Sequence, residues 1–465
     1  MQRIMIMLKH LSKRLRTASA AALFLLCCAA LTGCTTSKEP APLSSDSSTA
    51  SAIIGVPIAT AAPIETPEPT IAPTPEPTET PELTLMALGD NLMHMGIVHT
   101  GENKDGTRNY DFLFEDIKDF IDLADVSVIN QETIFGGNEL GFSGYPYFNS
   151  PTEVGDAIVN AGFDVVLQAT NHTLDQKQSG VENCINYWKQ HPEILMVGLH
   201  DRHETEDGTP LPMEDYIPLI TKNGITIAIL NYTYGPNFET LPAYARGRMD
   251  VLCNWDEKNG HLNFTEIHPQ VLEEIAAADQ IADAVVVFPH WGAEYSTTPS
   301  KYQKAFARQM TEAGADLIIG AHPHVTQPVE WVKADNGNES LCYYSLGNYV
   351  STQQDPISML ENMAWVTFRM QDDGSVVIDR EKTGSIPLVM QYSAGPLRFK
   401  AIYLLEEYQQ EVADKHGIRS WGHKNLYVTD LKKWADEIMG DSVKPAYELT
   451  GLRDPILEPQ GPEGP

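Results

Sequence analysis

The chain has 465 residues, 42% of them hydrophobic, which at roughly 100 to 200 residues per domain is material for two ordinary domains or one large one. Its formal charge is −31; the first 33 residues hold five bases and no acids, so the remainder carries 27 bases against 63 acids, a net −36. Such a field repels polyanions, and no Lys/Arg cluster follows the N-terminal segment, so nucleic acid is not an expected partner.

Residues 1–33 join a basic stretch, "KHLSKRLR", to a short apolar one, "TASAAALFLLCCAALTG". That is the pattern of a secretion signal, and the apolar run is shorter than the roughly 20 residues a spanning helix needs. The tetrapeptide "LTGC" that ends at Cys34 resembles a bacterial lipobox. It implies a lipoprotein signal peptide, a lipidated Cys34 and a mature chain held on the extracytoplasmic face of the cell membrane. Residues 34–82 follow as a Pro/Thr/Glu-rich segment, ending "PIETPEPTIAPTPEPTETPE". Proline at that density forbids helix and ladder, so an extended stalk is expected. Beyond Cys34 only Cys184, Cys253 and Cys342 remain, an odd number without CxxC spacing. Neither a zinc ribbon nor a disulfide scaffold is indicated, and the three read as small buried hydrophobes.

From residue 83 the pattern alternates. Strands are predicted at 83–88 (LTLMAL), 126–130 (VSVIN), 164–169 (DVVLQA), 225–232 (ITIAILNY), 284–289 (AVVVFP), 316–320 (DLIIG) and 342–346 (CYYSL). Helical spacing falls between them at 110–124, 151–163, 181–191, 268–278 and 300–315. This alternation predicts an α/β domain with largely buried strands over 83–390. Two further helical patterns, 401–417 and 428–440, suggest a helical C-terminal region over 391–465 with a disordered tail.

The polar residues are distributed unevenly. Six predicted strands end in a carboxylate, amide or imidazole: Asp90, Glu132, Asn171 with His172, His290, His322 with His324, and Ser345 with Asn348. In α/β sheets the ligand crevice lies beyond the carboxyl ends of the strands, so all six point to one place. His322 and His324, two residues apart at a strand end, fall on one side. Imidazole with carboxylate and no cysteine suits zinc, manganese or iron, and about two such ions can activate water and clamp a reacting ester. His94, His99, His191, His200, His203, His261, His268, His416 and His423 lack a strand-end setting and read as solvent histidines.

"ALGDNLM", "INQET", "QATNHTLD", "VVVFPHWGAEY", "IIGAHPHVTQPVE" and "YSLGNYV", in that order, closely resemble the CapA family, named for poly-γ-glutamate capsule biosynthesis. The resemblance covers about residues 83–385. It implies the calcineurin-like metallophosphatase fold, a sandwich of two β-sheets flanked by helices. It also implies one or two divalent ions held by Asp90, Glu132, Asn171, His290, His322 and His324, with His172 as the catalytic histidine. Trp291, Glu294, Ser345 and Asn348 fall in family motifs, with substrate contact or support of the ligands expected. The superfamily's Asp-x-His block reads Asp90-Asn91-Leu92 here, and its Gly-Asp block reads "NQE".

Three functions fit: a metal-dependent phosphoesterase-like hydrolase of an envelope substrate, a non-catalytic lipoprotein that binds an anionic polymer within a membrane synthase complex, or a degenerate lipoprotein scaffold whose site is empty.

Overall fold

The computed structural model describes residues 80–205 and 209–452. The expected signal peptide, Cys34, nearly all of the stalk and the C-terminal "EPQGPEGP" lie outside the described residues.

In chain order the strands begin with β1 (Glu82–Asn91), β2 (Val126–Asn130), β3 (Val165–Leu167), β4 (Leu195–Val197), β5 (Leu219–Lys222) and β6 (Ile225–Thr233). They continue with β7 (Cys253–Trp255), β8 (Leu262–Ile267), β9 (Ala284–His290), β10 (Leu317–Ile319), β11 (Val329–Lys333) and β12 (Glu339–Tyr343). The last are β13 (Asn348–Val350), β14 (Leu360–Met370), β15 (Val376–Ile378), β16 (Gly384–Tyr392) and β17 (Phe399–Leu404). The helices used below are α1 (Lys118–Leu123), α2 (Glu153–Ala161), α3 (Lys177–Trp188), α4 (Pro269–Asp279), α5 (Lys301–Ala313) and α6 (Val428–Met439).

Two sheets carry the fold. The first runs β17-β16-β14-β1-β2-β3-β4, with β13 added to the end of β1 and β15 to β14. The second runs β11-β12-β10-β9-β6-β5. β1 to β4 pair in parallel, as do β6, β9, β10 and β12, and this sets their carboxyl ends along one edge of each sheet.

Period-two alternation puts one face of each strand into a shared core between the sheets. Leu83, Leu85 and Ala87 of β1 meet Ile225, Ile227 and Ile229 of β6, Val286 and Phe288 of β9, and Leu317 and Ile319 of β10 in that layer. The alternate residues face outward beneath helices. Met86 and Leu88 join the core that includes α2, α3 and α6. Val285, Val287 and Ile318 join the one that includes α4 and α5. The expected sandwich of two sheets flanked by helices is present.

Helix limits follow local chemistry. Ser300 Oγ accepts the Gln303 amide N–H (3.2 Å) and Gln303 Oε1 accepts the Ser300 amide N–H (2.9 Å), a reciprocal cap at the start of α5. Gly314, at φ +117°, ends that helix in a conformation a side chain resists.

Several expectations need correction. The 110–124 pattern forms two 3₁₀ turns before the short α1. Residues 401–404, the start of the expected 401–417 helix, lie instead in β17, because main-chain pairing with β16 (Leu388 opposite Leu404, Met390 opposite Ile402) outweighs local preference. The first sheet therefore continues past residue 390. The 428–440 pattern does form a helix, α6, with Leu431, Ala435 and Met439 buried. Cys184, Cys253 and Cys342 are free and buried, as expected.

Among the expected solvent histidines, His416 is buried. Its Nε2 donates to the Met390 carbonyl (2.9 Å), its Nδ1 accepts the Ile418 N–H (3.0 Å), and burial lowers its pKa to about 4. His200 is held by Asp250 (2.9 Å) and stacks on His203. His94 is partly buried beside the crevice described next.

Candidate metal centre

Asp90 lies near the end of β1, where the pairing with both β2 and β13 is irregular. Such a bulge re-aims the side chain. Glu132 stands two residues beyond β2, Asn171 and His172 lie in the turn after β3, and His290 is the last residue of β9. His322 and His324 occupy the turn after β10 and adopt φ +96° and +59°. Left-handed backbone at two non-glycine residues is strain of the kind found where a site demands a geometry. Gly320 makes that turn feasible. A Cβ there would lie 2.1 Å from the Tyr344 carbonyl oxygen and 2.4 Å from Trp291 Nε1.

All of these donors are buried. His324 Nδ1 lies 3.0 Å from Asp90 Oδ2 and 3.1 Å from Asn348 Oδ1. Glu132 Oε1 lies 3.7 Å from His324 Nε2 and 3.7 Å from His290 Nε2. His290 Nε2 lies 2.8 Å from Asn171 Oδ1, and His322 packs against His290 with ring centroids 4.9 Å apart. Two groups result, Glu132–His290–His322 and Asp90–Glu132–His324, each with its donor atoms within 4.8 Å of one another and with Glu132 in both.

The hydrogen-bond inventory tests whether these residues fit an ion. Glu132 Oε1, Glu132 Oε2 and His322 Nδ1 are buried without a partner. A buried carboxylate with both oxygens unpaired costs several kcal/mol, about the penalty a divalent cation removes. Nitrogen and oxygen donors without sulfur are compatible with zinc, manganese or iron.

The electrostatics agree. Burial, then the charge of Asp90, pushes the Glu132 carboxyl well above the usual range. Burial and the neighbouring imidazoles hold His290 and His322 well below theirs, so both stay neutral and ready to ligate. Burial also lowers His324, but Glu132 and Asp90 outweigh it and the ring rises to about 9. A cation at the centre supplies the positive charge these carboxylates otherwise draw from His324.

His172 stands beside this group. Its Nδ1 is 2.7 Å from Asp175 Oδ2, which also accepts the Phe148 N–H at 2.7 Å. The carboxylate fixes the ring and leaves Nε2 for chemistry. Asn171 Nδ2 donates to Asn237 Oδ1 (3.1 Å), so the loop after β6 braces the same turn.

The four remaining predicted residues divide. Asn348 braces His324 through Oδ1 and donates from Nδ2 to the His324 carbonyl (3.2 Å). Ser345 donates to the Val325 carbonyl (2.8 Å) and accepts the Gly347 N–H (3.1 Å), fixing the loop behind His324. Trp291 is buried on the helix side of the second sheet, where Nε1 donates to the Tyr344 carbonyl (2.9 Å), so it supports the turn at Gly320 from behind. Glu294 is exposed, and its charge reaches Glu132 and His324.

Sequence reasoning missed Asn130, whose Nδ2 donates to Asp90 Oδ1 (2.7 Å), and Asp175, whose Oδ2 holds His172. Asn130 is itself a strand-end amide, the last residue of β2, and the strand-end criterion reaches it.

A two-sheet α/β sandwich with buried carboxylates, amides and imidazoles at the carboxyl ends of its parallel strands defines a protein with a candidate di-metal centre. The family described as "Bacterial capsule synthesis protein PGA_cap" matches residues 84–353, more than half of the chain, and the chain belongs to that family. It is 28% identical over 284 residues to the capsule biosynthesis protein CapA of Bacillus anthracis, a match covering 60% of each chain. It is 32% identical over 195 residues to the PGA biosynthesis protein CapA of Bacillus subtilis (strain 168), covering 41% of this chain and 43% of that one. The matches thus span less than two thirds of either relative. Among solved structures, the NAD nucleotidase NadN of Haemophilus influenzae aligns over 78% of this chain and 57% of its own, at 12% identity and TM-score 0.39. A hypothetical protein from Thermus thermophilus aligns over 66% of this chain and 99% of its own, at 13% identity and TM-score 0.36.

Proposed function

We propose that this chain binds one or two divalent ions between Asp90, Glu132, Asn171, His290, His322 and His324, and hydrolyses a phosphorylated envelope substrate during capsule or poly-γ-glutamate biosynthesis. The observation that carries the reading is Glu132, buried with both carboxylate oxygens unpartnered and common to both donor groups. Bound ions supply Lewis-acid activation and neutralise charge on the reacting ester. The chain's own residues do the rest. Asp175 holds the His172 ring so that Nε2 can pass a proton to the leaving oxygen, and Asn348 and Asn130 fix the flanking His324 and Asp90.

Extracytoplasmic placement is part of the proposal: the lipobox-like "LTGC" supports a lipid anchor at Cys34 and the proline-rich segment a spacer above the membrane. No helix among the described residues is long and apolar enough to cross a membrane. Replacing Cys34 with Ser should move the protein from the membrane to the soluble fraction; unchanged fractionation contradicts the anchor.

A second reading, non-catalytic capture of an anionic polymer, is favoured by Leu92, which carries no donor at the position where the superfamily has a histidine. On a surface as acidic as this, the metal centre would be the polymer's anchor. Turnover of an aryl phosphate or bis-ester by the purified full chain separates the two. Hydrolysis that needs both metal and His172 supports the first, and metal bound without turnover supports the second.

A further inference from the structure

The ring centroids of His322 and His324 lie 5.8 Å apart, and each imidazole packs against a tyrosine. Tyr234 stands 4.8 Å from His322, half-buried and backed by Phe264 at 5.9 Å. Tyr295 stands 6.0 Å from His324 and is 54% exposed. The first ring is absorbed into the packing, whereas the second is left open to solvent directly beside the buried donors.

Two hydrogen bonds fix Tyr295 there. Its amide N–H donates to the carbonyl of Pro323 (2.8 Å), the residue between the two histidines. Its hydroxyl accepts from Gln353 Nε2 (3.4 Å), and Gln353 Oε1 accepts from Nδ2 of Asn348 (3.1 Å), the residue that braces His324. The backbone of Tyr295 is at φ +62°, which is unfavourable for a bulky side chain. Among the described residues six other than glycine have positive φ, and three of them, Tyr295, His322 and His324, stand at this crevice. At Tyr295 burial does not offset the strain, since more than half of the residue meets solvent. Strain without a packing reason is the kind that a ligand-facing position carries.

The surroundings define what the ring can take. An open tyrosine face attracts another ring by stacking and offers no positive charge. Among the described residues, no hydrogen bond or ion pair of the metal-centre donors involves Lys or Arg, and Glu294, next to Tyr295, is exposed and acidic. A second anionic group on the ligand would find no cation besides the metal. An uncharged ring would find Tyr295.

We propose that Tyr295 is a binding residue that stacks against an uncharged ring, aryl or sugar, in the alcohol portion of the phosphoester held at the metal centre. The inference rests on the metal-centre reading above, and the experiment separates the two.

Phenylphosphonate, cyclohexylphosphonate and methylphosphonate carry the same phosphoryl group on a planar ring, a saturated ring and no ring, and their P–C bond resists hydrolysis. Tyr295→Phe keeps the ring and loses the contact with Gln353; Tyr295→Asn removes the ring with a residue that tolerates the left-handed backbone. Wild type and each full-length variant are loaded with manganese, their metal content is measured, and each is titrated calorimetrically with the phosphonates. Wild type should bind the better ring phosphonate about tenfold more tightly than methylphosphonate, Tyr295→Phe should keep that preference within about threefold, and Tyr295→Asn should reduce it to about twofold or less, at equal metal content. A phenyl preference marks an aryl group, and a cyclohexyl preference marks a saturated ring such as a sugar. No ring preference in wild type, one that survives in Tyr295→Asn, or one lost equally in Tyr295→Phe overturns the stacking role and leaves the metal centre standing. Metal loss in Tyr295→Asn overturns it in favour of support for His324. A wild type that holds no metal, or holds metal and binds none of the phosphonates, overturns both readings.

Discussion

Glu132 Oε1 stands 3.7 Å from His324 Nε2, both side chains buried, with no hydrogen bond joining them. A buried opposite-charge pair without direct bonding is a poor stabilising contact, because desolvation exceeds the attraction unless the geometry is close. The spacing suits two ligands around a third charge. Glu132→Gln keeps the shape and removes the charge. The metal-free variant should therefore be more stable than metal-free wild type, by about 1 to 3 kcal/mol, whereas added manganese should stabilise wild type more than the variant. Thermal unfolding with and without metal checks the crossover; parallel shifts contradict it.

Asp175 acts through His172. Asp175→Asn retains a group within reach of Nδ1 but favours the wrong tautomer, so turnover of an aryl phosphate should fall about 100-fold or more. Metal content should not change, since Asp175 belongs to neither donor group. Elemental analysis beside single-turnover kinetics distinguishes this from a collapsed site.

Glu361 on β14 tests the electrostatics away from the crevice. Both of its carboxyl oxygens are buried without a partner, and burial raises its pKa well above 4.5. The folded chain holds this proton where the unfolded chain has released it. Its contribution is therefore fully present below pH ~4.5 and is lost as pH rises toward the folded pKa, at up to about 1.4 kcal/mol per pH unit. Urea unfolding at pH 5 and pH 8 should show a larger loss for wild type than for Glu361→Gln. Equal losses mean the carboxyl is ionised in the folded state.

Gly320 links fold to site. With the Tyr344 carbonyl 2.1 Å and Trp291 Nε1 2.4 Å from a built Cβ, Gly320→Ala forces the His322–His324 turn away from β12. The expected cost is about 1 to 3 kcal/mol in denaturant unfolding, accompanied by lower metal occupancy.

The crevice was legible because period-two apolar strands ending in Asp90, Glu132, His290 and the His322–His324 pair leave their mark within a few residues of chain. Parallel pairing then brings those ends together, and Glu132 and Asp90, 42 positions apart, reach the same donor group. What stayed hidden depends on loops and distant pairing. His94 meets Thr352, 258 positions away, and Asn171 meets Asn237 across 66. Local spacing carries no trace of either contact. The same cause explains β17, whose sequence has a helical spacing yet is claimed by the exposed edge of β16.

The most direct test is elemental analysis of the purified full chain after supplementation with manganese or zinc. The account predicts about one to two equivalents of a divalent ion in wild type. It predicts substantial loss in His322→Ala/His324→Ala and in Glu132→Gln. A wild type that stays metal-free, or variants that retain wild-type occupancy, contradict it.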